Sequence, residues 1–481
     1  MALRIWFVRV TIGHQRCNGE PNMMISPEPS DYLNTLSQFG AGFEYRTVAE
    51  PVREQIGWIL ADTLAAIAAG SAEPELRAVA SRQPFADEAG LIGLHRRSTC
   101  ESAAFINGTA GTFLEMDEGN RFARGHPAIH VIPAAMAISQ KRGASAEDFI
   151  AAVMVGYEVG SRLGAASSLR GAMHPHGTWG TIGAAAAAGR VAQVDASAMR
   201  QIINIASSLT TASSKQTMLE GGLVRNTYAG LSNRNGLLAL DLAECGFSGE
   251  RDGPTSLMEK IISERFDPAA VVADLGADWH LMHNYFKLHS CCRYNHGTLD
   301  ALDHLAARGV LPAPAMVDRV EVDTYNLAAE LNDPAPANTL AAKFSVPFAV
   351  ATRLVNGSSR LASFTWDAVR SQDVLELAQR VAVRHDPAMS ARLPMERPAR
   401  VVLYLKTGEV LLAEAGVNRG DDAAPYTREE LHNKFLDLTS RIWPLSHCEM
   451  LLNETLALCR LEIQFKDWLT ILERQPLGAT R

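Results

Sequence analysis

Eight residues able to hold or move charge fall within sixteen positions of this chain. They are Glu115, Asp117, Glu118, Asn120, Arg121, Arg124, His126 and His130. Carboxylates can orient a base, histidines can carry a proton, and arginines can hold an anionic substrate. The plain alternative is a solvated loop, because loops are polar by default. Three further polar islands follow. MHPHGTWG at 173–180 places His174 and His176 two residues apart around Pro175, a spacing that cannot serve one face of a helix. It reads as a loop feeding the N-terminus of an alanine-rich helix, where an anion is favoured. The stretch 284–296 carries Lys287, His289, Cys291, Cys292, Arg293 and His296. A lysine there acts as a base if burial lowers its pKa, or stays charged and holds a carboxylate. The stretch 221–230 offers Arg225 and Tyr228 among glycines, which suits an anion-binding loop or a surface turn.

The elements that must position these islands are mostly helices. Residues 51–69 repeat apolar side chains at spacings of three and four, with Pro51 in the first turn and Gly70 at the end. Ser145 and Asp148 form a capping signature ahead of FIAAVMVGYEVGSRLGAA. That helix and GTIGAAAAAGRVA after it are rich in Ala and Gly, as close-packed central helices are. Further helices are predicted at 198–208, 235–245 and 256–263, and period-2 alternation is almost absent before residue 282. The pattern then changes. Residues 319–324 and 380–384 alternate as half-buried strands, and 401–405 with 410–413 flank a Lys-Thr-Gly-Glu turn as a hairpin. Helices are predicted between them at 299–307 and 344–355, and the chain is helical again from Thr427. The expected architecture is mainly α: an all-helical domain of residues 30–282 plus 413–481, and a smaller α/β lid domain of residues 283–412. Residues 1–29 read as an extension, with the functional chain starting near Met23 or Met24 and a targeting peptide the weaker option.

Composition narrows the function. The net charge is −8 and no Lys/Arg-rich run stands out, which argues against nucleic acid as a partner. No run reaches about 18 apolar residues, so no membrane span is expected. The cysteines are scattered without a CxxC pair, so zinc and iron–sulfur spacings are missing and the thiols read as reduced, in a cytoplasmic protein. No glycine-rich nucleotide motif follows a strand.

The four islands in this order resemble the MmgE/PrpD family, which contains 2-methylcitrate dehydratase, cis-aconitate decarboxylase and iminodisuccinate epimerase. INGTAGTFLEMDEGN, HPAIHVIPAAMA, VGYEVGSRLG, MHPHGTWGTIGAAAAAG, FKLHSCCRYNHGTLDA and AAKFSVPFAVA carry the resemblance, which runs from about Gln55 to about Trp443. It implies a helical domain, an α/β lid, a homodimer, no metal or organic cofactor, and a small polycarboxylate substrate. The family's acidic motif falls on Leu114, Glu115, Met116, Asp117 and Glu118, its His-Pro on His126 and Pro127, its next histidine on His174, and its lysine on Lys287. Glu115 stands where the family has aspartate, Ser290 where it has proline, and Arg225 and Tyr228 where it has lysine and histidine.

The leading expectation is a lyase that adds or removes water beside a carboxylate. His174 or Lys287 would be the base, and His126 held by Asp117 the acid or its partner, with Glu115 beside them. Arg225 and Arg121 would hold carboxylates, with Asn120, Tyr228, Arg293 and His296 completing the substrate site. His174 is preferred as base because an ordinary histidine titrates nearest neutrality. The alternatives are an epimerase using His174 and Lys287 on opposite faces of one carbon, a decarboxylase, and a non-catalytic polycarboxylate binder. The Ala/Gly-rich helices also offer apolar surface for a homodimer.

Overall fold

A computed structural model describes residues 31–477. The expected N-terminal extension lies outside these residues. The fold is mainly helical with small sheets, in two parts. The larger part includes the helices α1 (Glu50–Gly70), α2 (Cys100–Thr112), α3 (Pro127–Arg142), α4 (Ala146–Ala165), α5 (Trp179–Val191) and α6 (Thr227–Glu244). One pair of glycines shows how closely they pack. A Cβ on Gly156 of α4 would lie 2.7 Å from the Gly183 carbonyl oxygen of α5, and one on Gly183 would meet the Gly156 oxygen at the same distance. Only hydrogen fits between these backbones. Ser145 caps α4 by accepting the Asp148 N–H at 3.1 Å, as its sequence signature predicts.

The smaller part holds α7 (His296–Ala307), α8 (Val346–Val355) and a four-stranded sheet. Its strands are β1 (Val317–Thr324), β2 (Val381–His385), β3 (Ala399–Leu405) and β4 (Val410–Ala415), in the order β4-β3-β1-β2. β1 pairs β2 in parallel and β3 antiparallel, and β3 and β4 form the hairpin. The chain then returns through α9 (Arg428–Thr439) and α10 (Leu445–Cys459), which pack on α1. Their apolar residues join the larger core, which draws on 32–288 and 426–472, while the second core spans 291–415 and takes Met218 from the first segment.

Three short strand pairs depart from the sequence reading: Ala89–Leu91 with Arg96–Ser98, Gly119–Asn120 with Asn284–Tyr285, and Ser167–Leu169 with Ser263–Phe266. Two to four residues are too few to display a period of two. α6 begins eight residues before its predicted start, because the polar turn ahead of it is already wound. Among the described residues no single helix is long and apolar enough to cross a membrane.

Candidate active site between the two cores

The acidic loop leaves α2 with one strained residue and two holding contacts. Glu115 sits at φ 55°, a left-handed conformation uncommon for a side chain with a Cβ and often found at functional sites. The next carbonyl, Met116, accepts from Lys434 Nζ at 2.7 Å, and Lys434 pairs with Asp62 at 2.5 Å. α1 and α9 thus pin the loop from behind. Glu118 turns inward and accepts the Ala128 N–H at 2.7 Å, in the first turn of α3.

Asp117 is buried and its carboxylate faces an imidazole and an ammonium. Its Oδ2 lies 3.1 Å from His126 Nδ1 and its Oδ1 3.3 Å from Lys287 Nζ. Burial alone would push the Asp117 carboxyl up, but His126 and Lys287 outweigh it and hold it well below the usual carboxylate range. Lys287 is fully buried, 3.6 Å from Glu115 as well, and those two carboxylates overcome burial and hold its ammonium above the ordinary lysine value. Glu115 in turn meets Arg225 Nη1 at 2.5 Å. Arg225 belongs to the turn Leu223–Asn226 that opens α6, and Thr112 of α2 donates to the Asn226 carbonyl at 2.8 Å.

His126 is the N-cap of α3, with Pro127 in the first turn. Its Nδ1 also lies 2.6 Å from the Glu118 carbonyl. With Nδ1–H donating to the Glu118 carbonyl, Nε2 is left with a lone pair and no partner among the described residues. The carbonyl thus sets the tautomer and ring orientation, and the Asp117 carboxylate 3.1 Å from the same nitrogen is placed to stabilise an imidazolium.

His174 differs. Its Nδ1 accepts the His176 N–H at 3.1 Å, while Arg225 Nε lies 3.4 Å from its Nε2. Donors therefore face both ring nitrogens, and an imidazolium would find an acceptor at neither. Burial, then Arg225, push its pKa well below the histidine range. This removes the ground on which the sequence reading preferred His174 as base. Lys287 loses its claim because its carboxylate neighbours keep it charged.

A cavity of about 160 Å³ joins these groups. Glu115, His126, His174, His176, Arg225 and Arg293 line it, and so do Arg124, Arg170, Arg397 and Lys215. Lys287 and Asp117 sit behind this wall, and Tyr228 stands behind His174, their rings 5.7 Å apart. Three expected substrate contacts are instead structural. Asn120 spends its amide on the His280 carbonyl and accepts from the Phe122 and Ala123 N–H groups. Arg121 pairs with Asp422 at 3.1 Å. His296 lies under Arg293, 3.0 Å from its Nη1. Arg293 reaches the cavity, but Asp421 holds its guanidinium at 2.8 Å.

Arg397, Arg170 and Lys215 are absent from the sequence reading, and Arg124 and His176 stand in its polar islands without a place in the expected site. Arg397 is 7% exposed and its buried Nη1 has no hydrogen-bond partner. Arg124, at φ 55°, has neither an ion pair nor a hydrogen-bond partner among the described residues. Nothing in the pattern around Arg397 marks it, since it reaches the cavity only through the fold. His176 packs edge-on against His174, His130 and His126, with centroids 4.6, 4.6 and 5.0 Å away. Burial, then Arg225, lower its pKa well below the usual value. The Cys292 thiol on the same wall is pushed up to about 12 by burial, so it is no thiolate nucleophile at neutral pH. Outside the cavity, His289, Asp300 and Asp303 cluster as metal ligands could. His289 already has partners at both nitrogens, Ser359 at 2.6 Å and Asp300 at 3.2 Å.

Residues 34–259 match the MmgE/PrpD N-terminal domain and residues 289–458 the MmgE/PrpD C-terminal domain. The chain belongs to the MmgE/PrpD family. It is 24% identical to a cis-aconitate decarboxylase-like protein, oryM, of Aspergillus oryzae over 76% of this chain and 81% of that one. It is 28% identical to a cis-aconitate decarboxylase of Aspergillus terreus over 61% of this chain and 66% of that one. The human cis-aconitate decarboxylase is 24% identical over 69% of this chain and 71% of its own length.

Proposed function

We propose that this MmgE/PrpD protein is a cofactor-independent lyase for a small di- or tricarboxylate, with His126 as its proton carrier. The observation that carries this reading is a cavity in which unpaired cations and a carboxylate-held imidazole share one wall. Arg124 and the guanidinium of Arg397, which both line the cavity, receive one carboxylate of the substrate. Arg225, fixed by Glu115, faces another. A guanidinium suits this work because it donates two parallel hydrogen bonds and does not give up its proton. His126 Nε2 takes or returns a proton at the carbon beside a carboxylate, and Asp117 stabilises the imidazolium that forms. In dehydration the carbon proton goes to Nε2, and the imidazolium returns it to the departing hydroxyl, which leaves as water. In decarboxylation the departing carbon dioxide leaves its electron pair on carbon, which takes the proton from Nε2. Lys287 remains an ammonium and offsets the paired charges of Glu115 and Asp117.

A two-base epimerase is disfavoured, because it needs a second neutral base on the opposite face. Lys287 is held charged, and His174 has no acceptor for the proton it would gain. The similarity to cis-aconitate decarboxylases makes cis-aconitate the first substrate to try, with 2-methylcitrate beside it. The test is proton NMR of the protein with each acid in heavy water. Loss of substrate with a new alkene or released carbon dioxide supports the lyase. Deuterium exchange at an unchanged carbon skeleton would replace it by an epimerase, and binding without turnover by a binding protein.

A further inference from the structure

The molecule has a second, larger cavity of about 490 Å³ that the proposed chemistry does not use. It backs onto the catalytic wall: Leu114 lines it where Glu115 lines the first, and Lys343 lines it where Phe344 lines the first. Phe113, Leu361, Phe364 and Trp366 give it an apolar body.

Lys343 is 4% exposed and has no carboxylate within ion-pairing distance among the described residues. Its amine finds only the Thr339 and Phe364 carbonyls, each at 3.5 Å, well beyond the usual hydrogen-bond length, and the Phe364 ring at 5.8 Å. Its backbone is fixed separately. The Lys343 carbonyl accepts the Cys292 N–H at 2.9 Å and the Asn295 amide at 3.0 Å. An ammonium so placed has lost its water and gained no counter-ion, which favours the neutral amine. Burial, the largest influence, lowers its pKa to about 8, against the pull of Glu73 and Glu115. An anionic occupant is disfavoured, because Glu73, Glu75 and Asp437 also line this cavity, with Arg441 the one other cation on its wall and already paired with Glu73.

We propose that Lys343 is a nucleophilic amine that captures small apolar aldehydes as a Schiff base in this second cavity. The Nζ lone pair attacks the carbonyl carbon to give a carbinolamine. The carbonyl oxygen then leaves as water with both amine hydrogens, and a C=N bond remains. No oxidant, metal or further reactant is needed. A desolvated lysine in an apolar pocket is the setting in which amine catalysis and covalent capture arise.

The test treats the folded full-length protein with hexanal and sodium cyanoborohydride at pH 7.5 and follows each lysine by peptide mass spectrometry. Lys343 should be alkylated about tenfold or more faster than solvent lysines of ordinary pKa, such as Lys406 and Lys466. Lys343→Met should lose the fast phase alone. Modification of Lys343 no faster than the surface lysines, or only after denaturation, would overturn the proposal. If Lys343→Met fails to fold, the wild-type peptide map decides by itself.

Discussion

At the residue scale the decisive contrast is between two histidines on one cavity wall. His126 has a carboxylate and a carbonyl at Nδ1 and nothing at Nε2, whereas His174 has donors at both nitrogens. His126→Gln should therefore lose roughly 10²-fold or more in kcat, and His174→Gln clearly less. Steady-state kinetics on the substrate found by NMR checks the order, and the reverse order would return the base to His174. Arg397→Met should raise KM by roughly tenfold or more with a smaller change in kcat, the scale of one lost charge-assisted hydrogen bond. Asp117 gives a pH prediction. Its folded pKa is depressed, so its stabilisation is present above the ordinary carboxylate value of about 3.9 and is lost as pH falls toward the folded value. The melting temperature should drop below about pH 4, and Asp117→Asn should flatten that part of the curve. Lys287 has the opposite sign. Its folded pKa is raised, so its contribution is intact below the ordinary lysine value and is lost only in strong alkali.

At the element scale the site depends on helices that approach closely enough to hold their loops still. α3 presents His126 at its N-terminus, α2 and α6 bracket Glu115 and Arg225, and α5 lies behind the His174 loop. Gly183→Ala would push a methyl to 2.7 Å from the Gly156 carbonyl oxygen, a backbone atom that cannot step aside. The expected cost is about 1–3 kcal/mol, read as a lower denaturant midpoint with an unchanged slope. Activity at low temperature should persist, because no group on the cavity wall is removed. The buried Lys434–Asp62 pair is the other device at this scale, tying α9 to α1 and the acidic loop together. Lys434→Met leaves Asp62 buried without its partner and should destabilise by about 3–5 kcal/mol, measured by chemical denaturation.

At the scale of the whole molecule, the candidate cavity takes its wall from both cores. Glu115, His126 and Arg225 come from the larger part, while Phe344 and Arg397 come from the smaller one. A polycarboxylate that bridges Arg225 and Arg397 links the two parts, so binding should raise the melting temperature. At a ligand concentration of roughly 100 Kd the gain is about 2.7 kcal/mol. Differential scanning fluorimetry across small polycarboxylates measures it, and the roughly tenfold weaker binding of Arg397→Met should remove about half of the shift at the same concentration. Equal shifts with monocarboxylates would argue against two carboxylate positions.

Much of this protein was legible from sequence alone. Apolar periodicity marked α1, the Ser145 signature marked the start of α4, and alternation marked β1 to β4, because those signals are local and repeat over several residues. The four polar islands were legible for the same reason: charge and amide groups concentrate in short stretches of an otherwise apolar, alanine-rich chain. The roles within the islands were not. Asn120 and Arg121 stand beside His126 in sequence, yet the fold spends them on His280 and Asp422, whereas Arg397 arrives from 271 positions beyond His126 with an unbonded nitrogen. Protonation was out of reach for the same physical reason. Whether Lys287 stays charged, His174 stays neutral or Lys343 gives up its proton depends on burial and on charges a few ångströms away in space. Only tertiary structure places Asp117 against Lys287 and Arg225 against His174, and leaves Lys343 with no carboxylate within ion-pairing distance among the described residues.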